Sequence, residues 1–132
     1  MSAPKKPCPC GLPADYASCC GRLHRGAGQA ATAEELMRSR FSAFAVGDTA
    51  YLLRSWHPTT RPQGGLDLDP ALRWEKLEIL ATSEGGPFHS EGTVEFRAHY
   101  RHGRERGSMH EKSRFARVDG AWVYVDGVVD DR

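Results

Sequence analysis

The clearest chemistry in this chain comes from its four cysteines, which lie at positions 8, 10, 19 and 20. Zinc in structural sites prefers four tetrahedral thiolate or imidazole ligands. Two close pairs separated by eight residues can wrap around one ion, and Gly11 and Gly21 permit the tight turns this needs. The spacing therefore predicts one structural Zn²⁺ per chain, bound by Cys8, Cys10, Cys19 and Cys20. Four thiolates would leave no open position for catalysis.

Two disulfides or free buried thiols are the alternative interpretations, and His24 is an alternative ligand. The redox compartment favours zinc. The chain begins without the apolar segment of a secretory signal and has no run of roughly 20 apolar residues that would span a bilayer. We therefore expect a cytoplasmic protein without membrane contact, where clustered thiols more often bind metal than form disulfides.

Basic side chains surround the cysteines: Lys5, Lys6, Arg22 and Arg25. Their charge would stabilise the thiolates. A contact patch for an acidic protein or RNA is the alternative, but the formal net charge is only +1, which argues against nucleic acid as a partner.

The elements that must position this segment begin after residue 28, so we divide the chain into a zinc-binding segment, 1–28, and a second domain, 29–132. Thr32 and Glu35 form a capping box, apolar residues then recur at helical spacing, and Gly47 is a natural helix stop. Asp48 can cap a second helix that carries Trp56 and ends at Pro58.

Strand patterns follow at residues 73–83, 91–101, 108–118 and 121–126, after a loop at 58–70. Val94, Phe96, Ala98 and Tyr100 share one face of their strand by alternation. The stretch 102–107 is a polar turn, and Asp119-Gly120 indicates a hairpin. Helices followed by consecutive strands predict an α+β fold with helices on one face of a curved antiparallel sheet.

The cysteine segment reads Cys-Pro-Cys-Gly, then Tyr16, then Cys19-Cys20-Gly21. This pattern resembles the SEC-C motif, which ends the preprotein translocase ATPase SecA. Residues 36–44, 56–62, 92–96 and 110–115, with Trp122, Tyr124, Asp126 and Gly127, resemble the YchJ family of small bacterial proteins. The resemblance implies a cone-shaped domain similar to nuclear transport factor two and ketosteroid isomerase (a cystatin-like fold), and homodimers that pair through their sheets. Two features depart from the usual motif: Leu12-Pro13-Ala14-Asp15 replaces Ser-Gly-Lys-Lys, and Cys20 replaces a histidine.

A curved sheet against helices encloses a cavity, and alternation along the strands suggests its lining. If Trp122 points inward, then Tyr124 and Asp126 do so too. The predicted pocket comprises Trp56, His57, Phe96, Tyr100, Glu111, Ser113, Phe115, Trp122, Tyr124 and Asp126, with Leu77, Ile79 and Ala98 as further wall candidates. For each aromatic residue an ordinary place in the core is the alternative. Glu111 and Asp126 could instead pair with Arg38, Arg40 or Lys112.

The leading functional hypothesis is a zinc-binding adaptor whose cone holds a small molecule or a peptide. The alternative is a cofactor-free enzyme of the ketosteroid isomerase type. Glu111 or Asp126 would then act as general base, and Tyr100 or Tyr124 as hydrogen-bond donor. A phosphate-binding loop, a nucleophile triad and a second metal cluster are absent from the sequence.

Overall fold

The computed structural model describes residues 6–130, so Lys5 lies outside the described residues. A 3-10 turn (Tyr16–Ser18) and a short helix α1 (Cys20–His24) precede helices α2 (Ala33–Val46) and α3 (Thr49–Arg54). Four strands follow: β1 (Leu72–Glu84), β2 (Glu91–His102), β3 (Glu105–Val118) and β4 (Ala121–Asp130). They form one antiparallel sheet in the order β1-β2-β3-β4, which confirms the predicted α+β class.

The ends of α2 and α3 follow from local side-chain chemistry. The Thr32 hydroxyl accepts a hydrogen bond from the Glu35 backbone N–H at 3.0 Å, as the capping box predicts. Gly47 ends α2 in the left-handed conformation at φ 80°. Asp48 caps α3 by accepting from the Tyr51 N–H at 3.0 Å.

Helix α3 ends at Arg54, earlier than the sequence predicted, so Trp56 lies outside it. The chain turns at Ser55 and runs beside β4, where Trp56 and Tyr124 form a parallel bridge. The His57 N–H donates to the Tyr124 carbonyl at 2.7 Å, and the Tyr124 N–H donates to the Ser55 carbonyl at 2.8 Å. Pairing with β4 therefore competes successfully with another turn of helix.

The predicted polar turn at 102–107 is shorter than expected, because β3 already begins at Glu105 and pairs with His102. Arg101 lies opposite Arg106, and Tyr100 lies opposite Gly107. A two-residue connection at Gly103 and Arg104 is enough for this hairpin, as in common tight hairpins.

The main core lies between α2 and the inner face of the sheet. Its members are Ala33, Leu36, Met37, Phe41, Leu77, Val94, Phe96, Ala98, Phe115 and Trp122. The predicted inner face of β2 is confirmed for Val94, Phe96 and Ala98, all buried, while Tyr100 at its end is half-buried. Within residues 6–130, each helix is too short or too polar to cross a bilayer.

Candidate functional site

The four cysteine side chains meet at one point beside α2. Their sulfur atoms all lie within 4.8 Å of one another, and Cys8, Cys10 and Cys20 are buried. A tetrahedral ion with metal–sulfur bonds of about 2.3 Å separates its sulfurs by roughly 3.8 Å. The Cys10 and Cys19 sulfurs are 3.7 Å apart, so this donor set fits a thiolate-preferring ion and is unsuited to Mg²⁺ or Ca²⁺.

The pKa values of the clustered thiols also favour a bound cation. A hydrogen bond from the Cys20 thiol lowers the pKa of Cys10 to about 5. The same contact, together with burial, raises the pKa of Cys20, and burial raises that of Cys19 to about 11. Without a cation, Cys19 and Cys20 therefore favour the protonated form, and a bound metal ion would promote their ionisation.

Helix α2 holds the cysteine knuckle, which we define as residues 7–24, against the cone domain. The Arg38 guanidinium donates to the Cys10 carbonyl at 2.8 Å, and its Nε bonds Glu34 at 3.0 Å. The hydroxyl of Ser42, which is fully buried, lies 3.5 Å from the Cys8 sulfur. Two residues one turn apart on α2 thus contact two of the cysteines.

His24, the alternative ligand, has another role in the structure. Its Nε2 donates to the Ser39 carbonyl at 2.8 Å, so Nδ1 is the acceptor for the Tyr16 hydroxyl at 2.5 Å. The ring also packs against Tyr51 in a tilted arrangement, with centroids 4.6 Å apart. Both nitrogens are engaged, so His24 joins the knuckle to α2 and α3 and stands apart from the sulfur cluster.

Two of the basic residues near the cysteines have protein partners of their own. Arg22 pairs with Glu35 at 2.7 Å, and Arg25 donates to the Ala17 carbonyl at 2.8 Å. Lys6 is exposed. Arg38, which the sequence offered only as a partner for pocket carboxylates, is the cation that contacts the cysteine backbone.

A second feature is a cavity of about 290 Å³ between α2 and the inner face of the sheet, which we call the cone cavity. Its walls are mostly aromatic and aliphatic, and Arg40, Glu111 and Ser113 add polar side chains. The lining residues are Met37, Arg40, Phe41, Phe44, Trp56, Trp74, Phe96, Ala98, Met109, Glu111, Ser113 and Tyr124.

Arg40 supplies the cation of the cone cavity. It is only 3% exposed, and its Nη1 donates to the Leu52 carbonyl and to the Ser55 hydroxyl, both at 2.8 Å. The guanidinium carbon lies 4.9 Å from the Trp56 ring centroid and 4.6 Å from that of Tyr124. Burial lowers the pKa of Arg40 to about 10, so the side chain remains charged at neutral pH.

Glu111 supplies the anion. Its carboxylate accepts a short hydrogen bond from the Ser113 hydroxyl and a second, at 3.3 Å, from the Tyr124 hydroxyl. Burial, and then the neighbouring Glu111 charge, raise the pKa of Tyr124, so the phenol keeps its proton. Gly127 lies beside this carboxylate. The carboxylate occupies the space that a side chain at position 127 would need.

A family model described as "YchJ, middle NTF2-like domain" matches residues 32–127. The chain belongs to the YchJ family.

Relatives of this family member cover nearly the whole chain. A UPF0225 protein of Streptomyces coelicolor is 61% identical over 124 residues, covering 94% of this chain and 96% of the relative. A UPF0225 protein of Corynebacterium glutamicum is 53% identical over 125 residues, covering 95% and 98%.

Two solved structures resemble this YchJ-family chain, and each is described as a SEC-C motif containing protein. The solution structure from Rhodopseudomonas palustris has a TM-score of 0.81 and 36% identity, covering 94% of this chain and 98% of the other. The crystal structure from Psychrobacter arcticus has a TM-score of 0.74 and 26% identity, covering 93% and 82%.

In this YchJ-family chain the cone cavity brings together five residues of the predicted pocket: Trp56, Phe96, Glu111, Ser113 and Tyr124. Asp126 lies elsewhere. Between strands β3 and β4, Phe115 pairs with Tyr124 but Arg114 pairs with Asp126, so Val125 is an extra residue that forms a bulge. The bulge turns Asp126 to the outer face, where Arg114 bonds it at 2.6 Å.

The other predicted pocket residues lie around the cone cavity without lining it. Phe115 and Trp122 are buried in the core, and the Trp122 indole donates to the Ala31 carbonyl at 3.3 Å. Tyr100 packs edge-on against Trp74, with centroids 5.5 Å apart. His57 binds β4 through its backbone and borders an outer groove with Arg114 and Val125. The candidate catalytic set is thereby divided: Glu111 and Tyr124 are in contact within the cavity, whereas Asp126 and Tyr100 do not line it.

Sequence reasoning missed the contribution of α2 to the cavity. Met37, Arg40, Phe41 and Phe44 recur at three- and four-residue spacing, which places them on one helix face. That spacing indicated a face of the helix that packs in the core. Arg40 is the one charged residue on this face, and a charge among core residues indicates a functional position. Trp74 and Met109 were also missed as lining residues.

Proposed function

We propose that this protein binds one zinc ion through Cys8, Cys10, Cys19 and Cys20, and that the ion is structural. The mutual approach of the sulfurs within 4.8 Å supports this. Zinc would hold the two cysteine pairs together, which a segment with few apolar residues cannot do by burial alone. A reducing compartment keeps cysteines available as thiolate ligands, so the proposal includes the bacterial cytoplasm.

We further propose that the protein is a binding module whose cone cavity takes a small molecule. The observation that carries this proposal is a buried Arg40 and a Glu111 carboxylate on the wall of an otherwise apolar cavity. Ligand sites commonly combine apolar walls with a few converging polar groups. A cavity of about 290 Å³ suits a compact molecule better than a peptide.

The adaptor part of the proposal concerns the cysteine knuckle, which lies outside the cone. It would present its surface, including the exposed Leu12, to a protein partner. Pairing of two copies through the sheet stays a prediction of the family resemblance.

Native mass spectrometry of untagged protein, purified without chelators, tests these proposals together. We expect one zinc per chain and a retained organic molecule of low mass. A chain free of zinc under these conditions would contradict the structural ion. Zinc without an organic adduct would argue against a small-molecule ligand in the cavity and in favour of a protein partner. Pull-down experiments would then identify that partner.

An isomerase of the ketosteroid type is the second candidate, because Glu111 and Tyr124 are in contact within the cavity. A general base needs a free lone pair directed at its substrate, and the two hydroxyl hydrogen bonds to Glu111 Oε2 leave Oε1 for that role. Turnover of an enolisable ketone that is lost in Glu111→Gln with unchanged thermal stability would favour the enzyme over the binding module.

A further inference from the structure

The polar wall of the cone cavity has unused hydrogen-bonding capacity. Within residues 6–130, the hydrogen bonds of the Arg40 side chain all come from Nη1, which leaves the N–H groups of Nε and Nη2 without acceptors. The indole N–H of Trp56, whose ring packs against the Arg40 guanidinium, is buried and lacks an acceptor among the same residues. A ligand acceptor in the cavity could pair with the free Arg40 N–H groups, whose hydrogen bond to an acceptor would be charge-assisted.

Glu111 is the complementary group. Its two protein hydrogen bonds both reach Oε2, so Oε1 can still accept from a ligand donor. Arg40 and Glu111 line the same cavity, yet among the described ion pairs neither is bonded to the other. A ligand that carries both an acceptor and a donor would complement the two residues.

We infer that the cone cavity binds a flat, uncharged, largely apolar molecule whose polar end carries a hydrogen-bond acceptor beside a donor. Arg40 would donate to the acceptor, and Glu111 would accept from the donor. This inference rests on the proposed function of the cavity as a small-molecule site. A net charge on the ligand is disfavoured, because it would upset a balanced pair of charges in a region of low dielectric.

The size and shape of the cavity narrow the ligand further. A cavity of roughly 150 Å³ holds benzene, so by proportion about 290 Å³ suits about a dozen non-hydrogen atoms. The rings of Phe41, Trp74 and Phe96 line it, and aromatic walls favour a flat ring system. A bicyclic aromatic carboxamide has this size, shape and polarity.

Four naphthalene probes of nearly equal shape test the inference by calorimetric titration of the zinc-loaded protein. Naphthalene-2-carboxamide carries an acceptor and a donor, 2-naphthoate is an anion, 2-naphthamidine is a cation, and 2-ethylnaphthalene has no polar group. We expect the carboxamide to bind at least about tenfold more tightly than each of the others, the difference expected for one hydrogen bond to a charged group.

Tightest binding of naphthoate or naphthamidine would overturn the inference, as would equal binding of all four, but either result would leave the cavity as a small-molecule site. Failure of all four probes to bind would overturn the proposed function and the inference together.

Substitution of Glu111 supplies an independent arm. In Glu111→Gln the uncompensated Arg40 should accept an anion, so naphthoate should gain about tenfold in affinity and become the preferred probe. Glu95→Gln is the matched control, because Glu95 bonds His110 at 2.6 Å on the strand face opposite to Phe96. An unchanged order of probe affinities in Glu111→Gln would overturn the assigned role of Glu111.

Discussion

The cysteine knuckle and the cone cavity contact different residues of helix α2. Toward the knuckle α2 presents Arg38 and Ser42, which contact the cysteines, and toward the cavity it presents Arg40 and Phe41. The knuckle gathers its four donors from thirteen consecutive residues, 8–20. The cavity gathers its lining from α2, from the segment after α3 and from all four strands.

Because of this difference, we expect substitutions to affect the stability of the two regions in different ways. The knuckle has a small buried core of cysteines, so we expect its stability to depend on a bound metal ion. The cone has an extensive apolar core between α2 and the sheet, so its stability depends on packing. The following predictions test that separation, from the largest effect to the smallest.

Loss of one cysteine should unfold the knuckle while sparing the cone. In Cys10→Ser we expect zinc affinity to fall by about 100-fold or more, since structural zinc sites gain their folding energy from the metal. Elemental analysis should find little zinc after dialysis, while far-ultraviolet circular dichroism keeps the strand signal. Ser18→Ala, an exposed change between the cysteine pairs, is the control. Full zinc occupancy in Cys10→Ser would refute the four-cysteine site.

A side chain at Gly127 should damage the cavity while sparing the knuckle. In Gly127→Ala the added methyl group would collide with the Glu111 carboxylate, so Glu111 or β4 must move. We expect a loss of about 1–3 kcal/mol in the free energy of unfolding by urea, with zinc content unchanged. The neighbouring Val128→Ala, at an exposed position, should be nearly neutral. Equal stability of both variants would mean that the carboxylate lies elsewhere.

His24→Ala tests the connection between the two regions. It removes hydrogen bonds to the half-buried Tyr16 hydroxyl and to the carbonyl of the buried Ser39, and leaves each partner short of one bond. We expect a loss of about 1–2 kcal/mol and faster zinc release to a chelator. His89→Ala, at an exposed loop position, is the control. A zinc release rate equal to that of the unaltered protein would show that α2 supports the knuckle without His24.

Asp126 should have the smallest effect. The hydrogen bond from Arg114 lowers the pKa of Asp126, so this carboxylate adds stability above its ordinary pKa of 3.8 and loses it as pH falls through the lower folded value. The pair is solvent-exposed on the outer face. We therefore expect Asp126→Asn to shift the melting temperature at pH 7 by about 2 °C or less and to leave probe binding unchanged. A large loss of probe binding would instead show that Asp126 contributes to the cavity.

Much of this molecule follows from the sequence alone. The caps at Thr32 and Asp48, the stop at Gly47 and the Asp119-Gly120 hairpin are local features, and each lies where the sequence predicted it. The four cysteines are close in the chain, so proximity in sequence foretold proximity in space. The α+β class followed from the order of the elements.

The tertiary structure decided what local patterns could not. Alternation along β4 predicted Asp126 on the inner face, but the bulge at Val125 reversed it, and a bulge depends on pairing with β3. Trp56 left the predicted helix because β4 offered backbone hydrogen bonds. Arg40 and Glu111, far apart in sequence, line one cavity only because α2 packs on the sheet. Short-range chemistry is written in neighbouring residues, whereas a cavity exists only once distant segments have packed together.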